Sequence, residues 1–429
     1  MTKFLILTAF IISSICLQSC NNANKKQTSQ IILKNECDIP REFETLVINR
    51  DELKCNDKHL LPLLLTNNND TIICQHDDLN KDGEWDELSF LYSIKSRKSD
   101  TLQIEWVSRN EYPVFDNKTN IIYGRLNSKG VIAQYDEDKY DKHYLPRGKD
   151  YPYQMDGPTW ENDKIAFRHY FDGRNCRDIF GKTVNKLLMD TVGINKHGRP
   201  QNTYSSMNNW GRDILTVGQS LGIGGTALLM KDTLIRAGIL INDTVNNIDS
   251  TYFEKITTGP VRSIFKLKFK GWNIYNKKIN VEETITINAG EYGYYNKISC
   301  YDVLEGAFIT TGLVNIETNK KPNTFNYSDK LFVLSSYDKQ ANNRETYLGM
   351  SIILPLENYK DIFNANDVKS NIKDTWCISM VPNKNNEYWY YGCAGWEKTD
   401  SIFKNEEDYN NMIKNVAIKL ANPIQIILE

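Results

Sequence analysis

The sequence is poor in the residues that most catalytic and metal-binding signatures require. Its five histidines, His59, His76, His143, His169 and His197, are scattered, and no H-E-x-x-H arises. No C-x-x-C pair occurs either, which sets aside zinc clusters and thioredoxin-like redox chemistry. The formal net charge is −2, so charge of one sign is also lacking, and with it a strongly basic nucleic-acid-binding surface. The glycine-rich run Val217-Gly218-Gln219-Ser220-Leu221-Gly222-Ile223-Gly224-Gly225 is not set in a strand–loop–helix unit. It reads as tight turns and close backbone packing, so no nucleotide cofactor is expected there, and a Ser or Cys nucleophile has no local support in the sequence. Beyond the N-terminus, no apolar run is long enough to cross a bilayer.

What is present begins with a leader. Met1-Thr2-Lys3 is a short positive start, and Phe4 to Leu17 is apolar. Leu17-Gln18-Ser19-Cys20 then resembles a bacterial lipobox. Residues 1–19 are expected to be a lipoprotein signal peptide, Cys20 the lipidated residue and 20–30 a polar tether. No acidic run follows Cys20, which favours an anchor on the periplasmic face of the outer membrane. Seven cysteines remain after Cys16 and Cys20; that odd number does not imply a disulfide framework in a chain of 429 residues.

The body of the chain reads as mainly β. Short alternating or β-branched runs separated by Asn/Asp-rich turns predict a small β-sandwich over 31–110. Residues 111–158 read as a connector. Many strands over 159–429 predict a large two-sheet sandwich. Glu406 to Leu420 is the clear helix, with Asn405 placed to cap it, Met412, Val416 and Leu420 spaced by four, and Pro423 beyond its end. A last strand, Ile424 to Leu428, is expected to rejoin a sheet.

The stretch 156–182, DGPTWENDKIAFRHYFDGRNCRDIFGK, carries the densest chemistry. Lys164 to Phe171 alternates as a strand, with Ile165, Phe167, His169 and Phe171 on one face and Ala166, Arg168, Tyr170 and Asp172 on the other. A guanidinium and a phenol on one face suit a sugar-acid site; a half-buried strand with a polar outer face has the same pattern. Asp78, Asn80, Asp82 and Gly83, with Asp86 at the ninth position, repeat the first half of an EF-hand-type loop. The twelfth position is Ser89 rather than Glu, so the candidate is a single calcium in a hairpin turn, set against a turn closed by its own side chains. Trp396, in an aromatic cluster, is a candidate sugar platform, and Arg262 follows the Gly259-Pro260 turn.

In order along the chain, Arg41 to Val47, the Asp78–Glu87 loop, Trp160-Glu161-Asn162-Asp163, Ala166-Phe167-Arg168, Asp213, Leu221-Gly222-x-Gly224-Gly225, Gly259-Pro260-x-Arg262 and Gly395-Trp396 resemble an exported bacterial family of unknown function, DUF4861. The resemblance runs from about Ile31 to the C-terminus. It implies a galactose-mutarotase-like β-supersandwich and a link to polysaccharide utilisation, with lyase or dehydratase chemistry on uronic-acid-containing oligosaccharides. On that reading Arg168 clamps the substrate carboxylate, with Arg262 as a second candidate, and Tyr170 or Tyr204 moves the proton. Trp160 and Trp396 stack on sugar rings, while Glu161 and Asp163 orient hydroxyls. The family pattern has His after the equivalent of Tyr204; this chain has Ser205. A glycoside hydrolase using Glu161 and Asp163, and a non-catalytic glycan-binding lipoprotein, are the alternatives.

Overall fold

The protein is described here by a computed structural model covering residues 28–55, 57, 59–144, 152–240 and 245–429. The expected signal peptide and the lipidation site Cys20 lie outside the described residues. Two β-sandwiches follow one another, as alternation along the strands predicts. The small one packs a four-stranded sheet (Gln425–Leu428, Gln30–Asn35, Lys98–Ser108, Leu60–Leu65) against a three-stranded sheet (Arg41–Asn49, Glu87–Ile94, Cys74–Asp77). Its core is built from alternate residues such as Ile31, Leu33, Leu64, Leu88, Phe90 and Leu102. The C-terminal strand belongs to this sandwich, not to the large one: Ile31 lies opposite Leu428, and Ile424 enters the small core.

The large sandwich is a nine-stranded antiparallel sheet, running from Glu137–Asp141 at one edge to Asn323–Tyr327 at the other, faced by a five-stranded and a six-stranded sheet. One continuous core of aromatic and branched side chains fills the space between. Residues 111–158 are not a mere connector. Thr119–Ile122 forms an edge of the five-stranded sheet, and Glu137–Asp141 an edge of the nine-stranded one. The glycine-rich run packs as expected: Gly222, at φ +67, bridges Arg177 so closely that a Cβ would collide with the Arg177 carbonyl.

Helix Glu406–Ala421 starts where the cap predicts, with the Asn405 side chain accepting the Asp408 N–H at 2.9 Å. Its buried stripe is Tyr409, Ile413, Ala417 and Ala421; Met412, Val416 and Leu420 flank it, half-buried. Tyr409 and Ile413, which the sequence places beside the Met412, Val416 and Leu420 row, lie at the centre of the buried face. Tyr409 decides this, because its hydroxyl reaches Ser351 at 2.9 Å on the underlying sheet.

Arg262 joins the two sandwiches. Its guanidinium, carried by the large sheet, donates to Asp77 at 2.8 Å and to Glu87, both from the small sandwich. Gln75 accepts the Val261 and Arg262 N–H groups at 2.9 and 3.1 Å. Breaking a buried ion pair by removing one partner leaves an uncompensated charge, which costs about 3–5 kcal/mol. Arg262→Ala is expected to lose that much in urea unfolding; a loss below about 1 kcal/mol would show that this pair does not hold the seam.

Candidate functional site

The five-stranded sheet has one face in the core and one turned outward. Strands Thr159–Asn162, Ile165–His169, Arg177–Lys182 and Gly211–Asp213 are neighbours in it. Register decides what meets on the outward face. Arg168 stands opposite Asp178 on one side and Thr159 on the other, and Phe180 stands opposite Asp213. Residues directly opposite point the same way. Arg168, Asp178, Phe180 and Asp213 therefore converge.

Arg168 is 1% exposed, yet it makes charged contacts on three sides. It donates to Asp156 at 3.0 Å, to Asp213 at 2.6 Å, to the Tyr170 hydroxyl at 2.6 Å and to Asp178. The Tyr170 hydroxyl in turn donates to Asp178 at 2.8 Å, and the Tyr204 hydroxyl to Asp156 at 3.2 Å. The Arg168 guanidinium lies 4.3 Å from the Tyr170 ring centre and 5.3 Å from that of Tyr204. A second cation, Arg174, faces the Tyr170 ring at 4.4 Å.

Asp156 reaches this cluster from a strained turn. Met155 and Asp156 have φ of +50 and +65, and Gly157 follows at +148. Side-chain-bearing residues in the left-handed region cost about 1–3 kcal/mol each. Packing holds them there: the Phe171 N–H donates to the Asp156 carbonyl at 2.9 Å, and a Cβ on Gly157 would strike the His169 carbonyl. The result is a carboxylate at the rim, with the Asp156 side chain 34% exposed and that of Asp213 19% exposed, while Asp178 is sealed below.

One guanidinium cannot neutralise three carboxylates. Burial, together with the nearby Asp178 charge, pushes the Asp213 carboxyl up to about 7, against the opposing pull of Arg168. Burial also pushes both phenols, Tyr170 and Tyr204, above their ordinary range despite Arg168 beside them. The carboxyl of Asp213 is thus the group of the cluster poised to titrate near neutral pH, whereas the phenols of Tyr170 and Tyr204 are pushed further from it.

Arg168, Tyr170 and Tyr204 do meet, as the sequence suggests. Their surroundings differ from the expected ones. Both Nη atoms of Arg168 are already spent on protein groups and its Nε is buried, so it has no accessible edge for a substrate carboxylate. Strand Ile165–His169 is buried on both faces, because residues 183–210 cover the outer one. Trp160 falls on the core face of its strand, stacked 5.8 Å from Phe167, and is no sugar platform. Trp396 is also buried, its Nε1 donating to Thr346 at 2.9 Å. Glu161 is sealed against Lys182 at 2.8 Å, and Asp163 accepts the Gly290 N–H at 2.7 Å. Neither faces the cluster as a substrate contact. Arg262 is committed to the seam described above. His169 points into the core, where burial with Arg177 nearby pushes it down to about 3. Ser220 lies in a G-x-S-x-G string, but its hydroxyl is buried and donates to the Val217 carbonyl at 2.6 Å.

In the Asp78–Asp86 turn every candidate ligand accepts a backbone N–H: Gly83 to Asp78 and Asp82 to Asn80 at 2.8 Å, Glu84 to Asp82 at 2.9 Å, and Leu79 to Asp86 at 2.7 Å. The turn closes on its own side chains. Among the described residues, no group of three or more His, Cys, Asp or Glu is placed to hold a metal ion.

Asp156 and Asp178 were not legible as site residues, and Asp213 was legible only as part of a motif. The available signal is period-2 alternation: Asp178 and Phe180 fall on one face of their strand, opposite Arg168 and Ala166 of the next.

A family model described as a domain of unknown function, DUF4861, matches residues 33–426. The chain is similar over its whole length to the "Uncharacterized protein P7" of Formosa agariphila, at 23% identity over 462 residues with both chains fully covered. Among solved structures it is similar to two proteins of Enterococcus faecalis. One is described as a protein in glycosyl hydrolase family 38 (9% identity, TM-score 0.46, 94% of this chain and 48% of that one). The other is described as an alpha-mannosidase (8% identity, TM-score 0.48, 94% and 46%). The chain spans about half the length of these two structures, and a likeness of this degree carries no argument about activity.

The raised Asp213 carboxyl has a thermodynamic consequence. Its folded value lies above its unfolded one, so the folded state holds the extra proton between about pH 4 and about pH 7. Stability from this group is complete at low pH and is lost as pH rises through about 7. The melting temperature of the wild type minus that of Asp213→Asn is expected to fall between about pH 4 and about pH 7 and to level off above that. Parallel curves would show that Asp213 is not shifted.

Proposed function

This chain belongs to the DUF4861 family, and we propose that it is a carbohydrate-active enzyme that breaks a carbon–oxygen bond by proton transfer within the Asp156–Asp178–Asp213 cluster. The observation that carries this reading is the charge imbalance: three carboxylates share one guanidinium, and burial beside Asp178 pushes the Asp213 carboxyl up to about 7. A carboxyl of that acidity suits a general acid protonating a leaving sugar oxygen. Asp156, at the rim and receiving the Tyr204 hydroxyl, is placed to take the proton of an attacking water. Arg168 and Asp178 hold the two in place. Glycoside hydrolysis is the form this supports best, because Arg168 has no free edge for a uronate and both phenols are pushed away from a base's range.

A second reading is elimination on uronic-acid oligosaccharides. The Tyr204–Asp156 hydrogen bond favours it, since that pair could relay a proton removed from a substrate carbon. The oligosaccharide substrate, lipid attachment at Cys20 on the periplasmic face of the outer membrane, and a calcium ion at Asp78, Asn80, Asp82 and Asp86 stay proposals carried by the sequence.

The test is incubation with neutral and uronic-acid oligosaccharides, following reducing ends and the absorbance of unsaturated uronates in parallel. New reducing ends without absorbance are expected, with Asp213→Asn slower by about 10²–10⁴-fold. Absorbance would move the assignment to elimination. Binding without either product would leave a glycan-binding protein, and equal turnover in Asp213→Asn would remove the acid.

A further inference from the structure

We propose that buried Glu161, held by Lys182, is a positioning residue whose side-chain acceptor pins residues 183–210 as a cover over the carboxylate cluster. The inference rests on the site assigned above, but its geometry can be tested apart from any activity.

Residues 183–210 contain no strand of the five-stranded sheet, yet they lie across its outward face. Tyr204, which reaches Asp156, belongs to this segment. Its ring meets Phe180 edge-on at 5.4 Å, in an apolar cluster with Met155, Ala166, Met189 and Val192. Such a segment needs fixed attachment to hold its own polar backbone out of water. Glu161 supplies one. Its Oε1 accepts the Leu188 and Met189 N–H groups at 3.0 and 2.8 Å, and its Oε2 accepts Lys182 Nζ at 2.8 Å. Lys182 also donates to the Asn162 carbonyl at 2.7 Å. Both side chains are fully buried. Gln154, two residues before Asp156, supplies the other attachment, donating to the carbonyls of Met189, Asp190 and Val192 at 3.2, 3.0 and 2.7 Å. The same short stretch, 188–192, is thus held from the sheet and from the strained turn that carries Asp156.

A buried ion pair is weak evidence for stability, since apolar replacements of similar volume are often as stable. What an apolar pair cannot supply is an acceptor for the Leu188 and Met189 N–H groups. That difference gives the test. The double variant Glu161→Met/Lys182→Met removes charge and acceptor together; Glu161→Gln/Lys182→Met removes the charges and keeps the acceptor. Hydrogen exchange of the 188–204 amides is expected to quicken about tenfold or more in the first and to match the wild type in the second. On any substrate the wild type turns over, the first should lose kcat more than it changes KM, and the second should restore it. Wild-type exchange over 188–204 in the Glu161→Met/Lys182→Met variant overturns the inference, whether or not the protein proves active. If the first variant does not fold, faster exchange in the Glu161→Gln/Lys182→Met variant overturns it equally. A wild type inactive on every sugar but showing the expected exchange pattern would count against the enzymatic reading alone.

Discussion

The outward side of the five-stranded sheet depends on one buried guanidinium. Arg168 cannot lose its charge, and a charge without water must be met by opposite charge or by hydrogen-bond acceptors. Asp178 meets it from the adjoining strand, Asp213 from the strand beyond, and Asp156 from a turn that pays about 1–3 kcal/mol of backbone strain per residue to arrive there. Three separate parts of the chain, around residues 156, 178 and 213, are thus fixed by one side chain. Burial, and after it the second negative charge of Asp178, then pushes the Asp213 carboxyl up to about 7 despite Arg168 beside it.

Much of the architecture could be read from alternation. The two sandwiches, strand Ile165–His169, the capped helix and the meeting of Arg168 with Tyr170 follow from local pattern, whereas Tyr204 is indicated only by the family resemblance. The misreadings share a physical cause. Trp160 and Glu161 are neighbours in sequence, so an alternating strand must send them to opposite faces, and only one could join Arg168. Glu161 looked like a free acid because its partner, Lys182, lies 21 residues away. Asp156 precedes Gly157-Pro158, where aspartate is ordinary turn chemistry. The C-terminal strand crosses back to the first sheet by a pairing that spans almost the whole chain, which no local pattern encodes.

That crossing and the Arg262 seam have a joint effect. Gln425–Leu428 ties the end of the large sandwich to Gln30–Asn35 in the small one, while Arg262, Asp77 and Glu87 tie their facing surfaces. Two attachments at different places resist a hinge in a way that one does not. The small sandwich therefore adds a fixed body beside the large one, and relative domain motion, the usual expectation for joined domains, has little freedom here.

Two arginines on neighbouring strands separate structural charge from chemical charge. Arg177 is sealed between the sheets, bonded to Glu283, to the Tyr390 hydroxyl and to the Tyr294 hydroxyl at 3.1 Å. One cation meets one carboxylate there, and no group in the set is near solvent. Such a pair fixes packing, with each charge met by the other and none turned toward solvent. Arg168 is as deeply buried, but its carboxylates outnumber it and two of them reach the surface. Burial alone does not mark a working site. What distinguishes Arg168 is an unbalanced count of charges together with two carboxylates that reach solvent, the combination on which the proposed acid–base role rests.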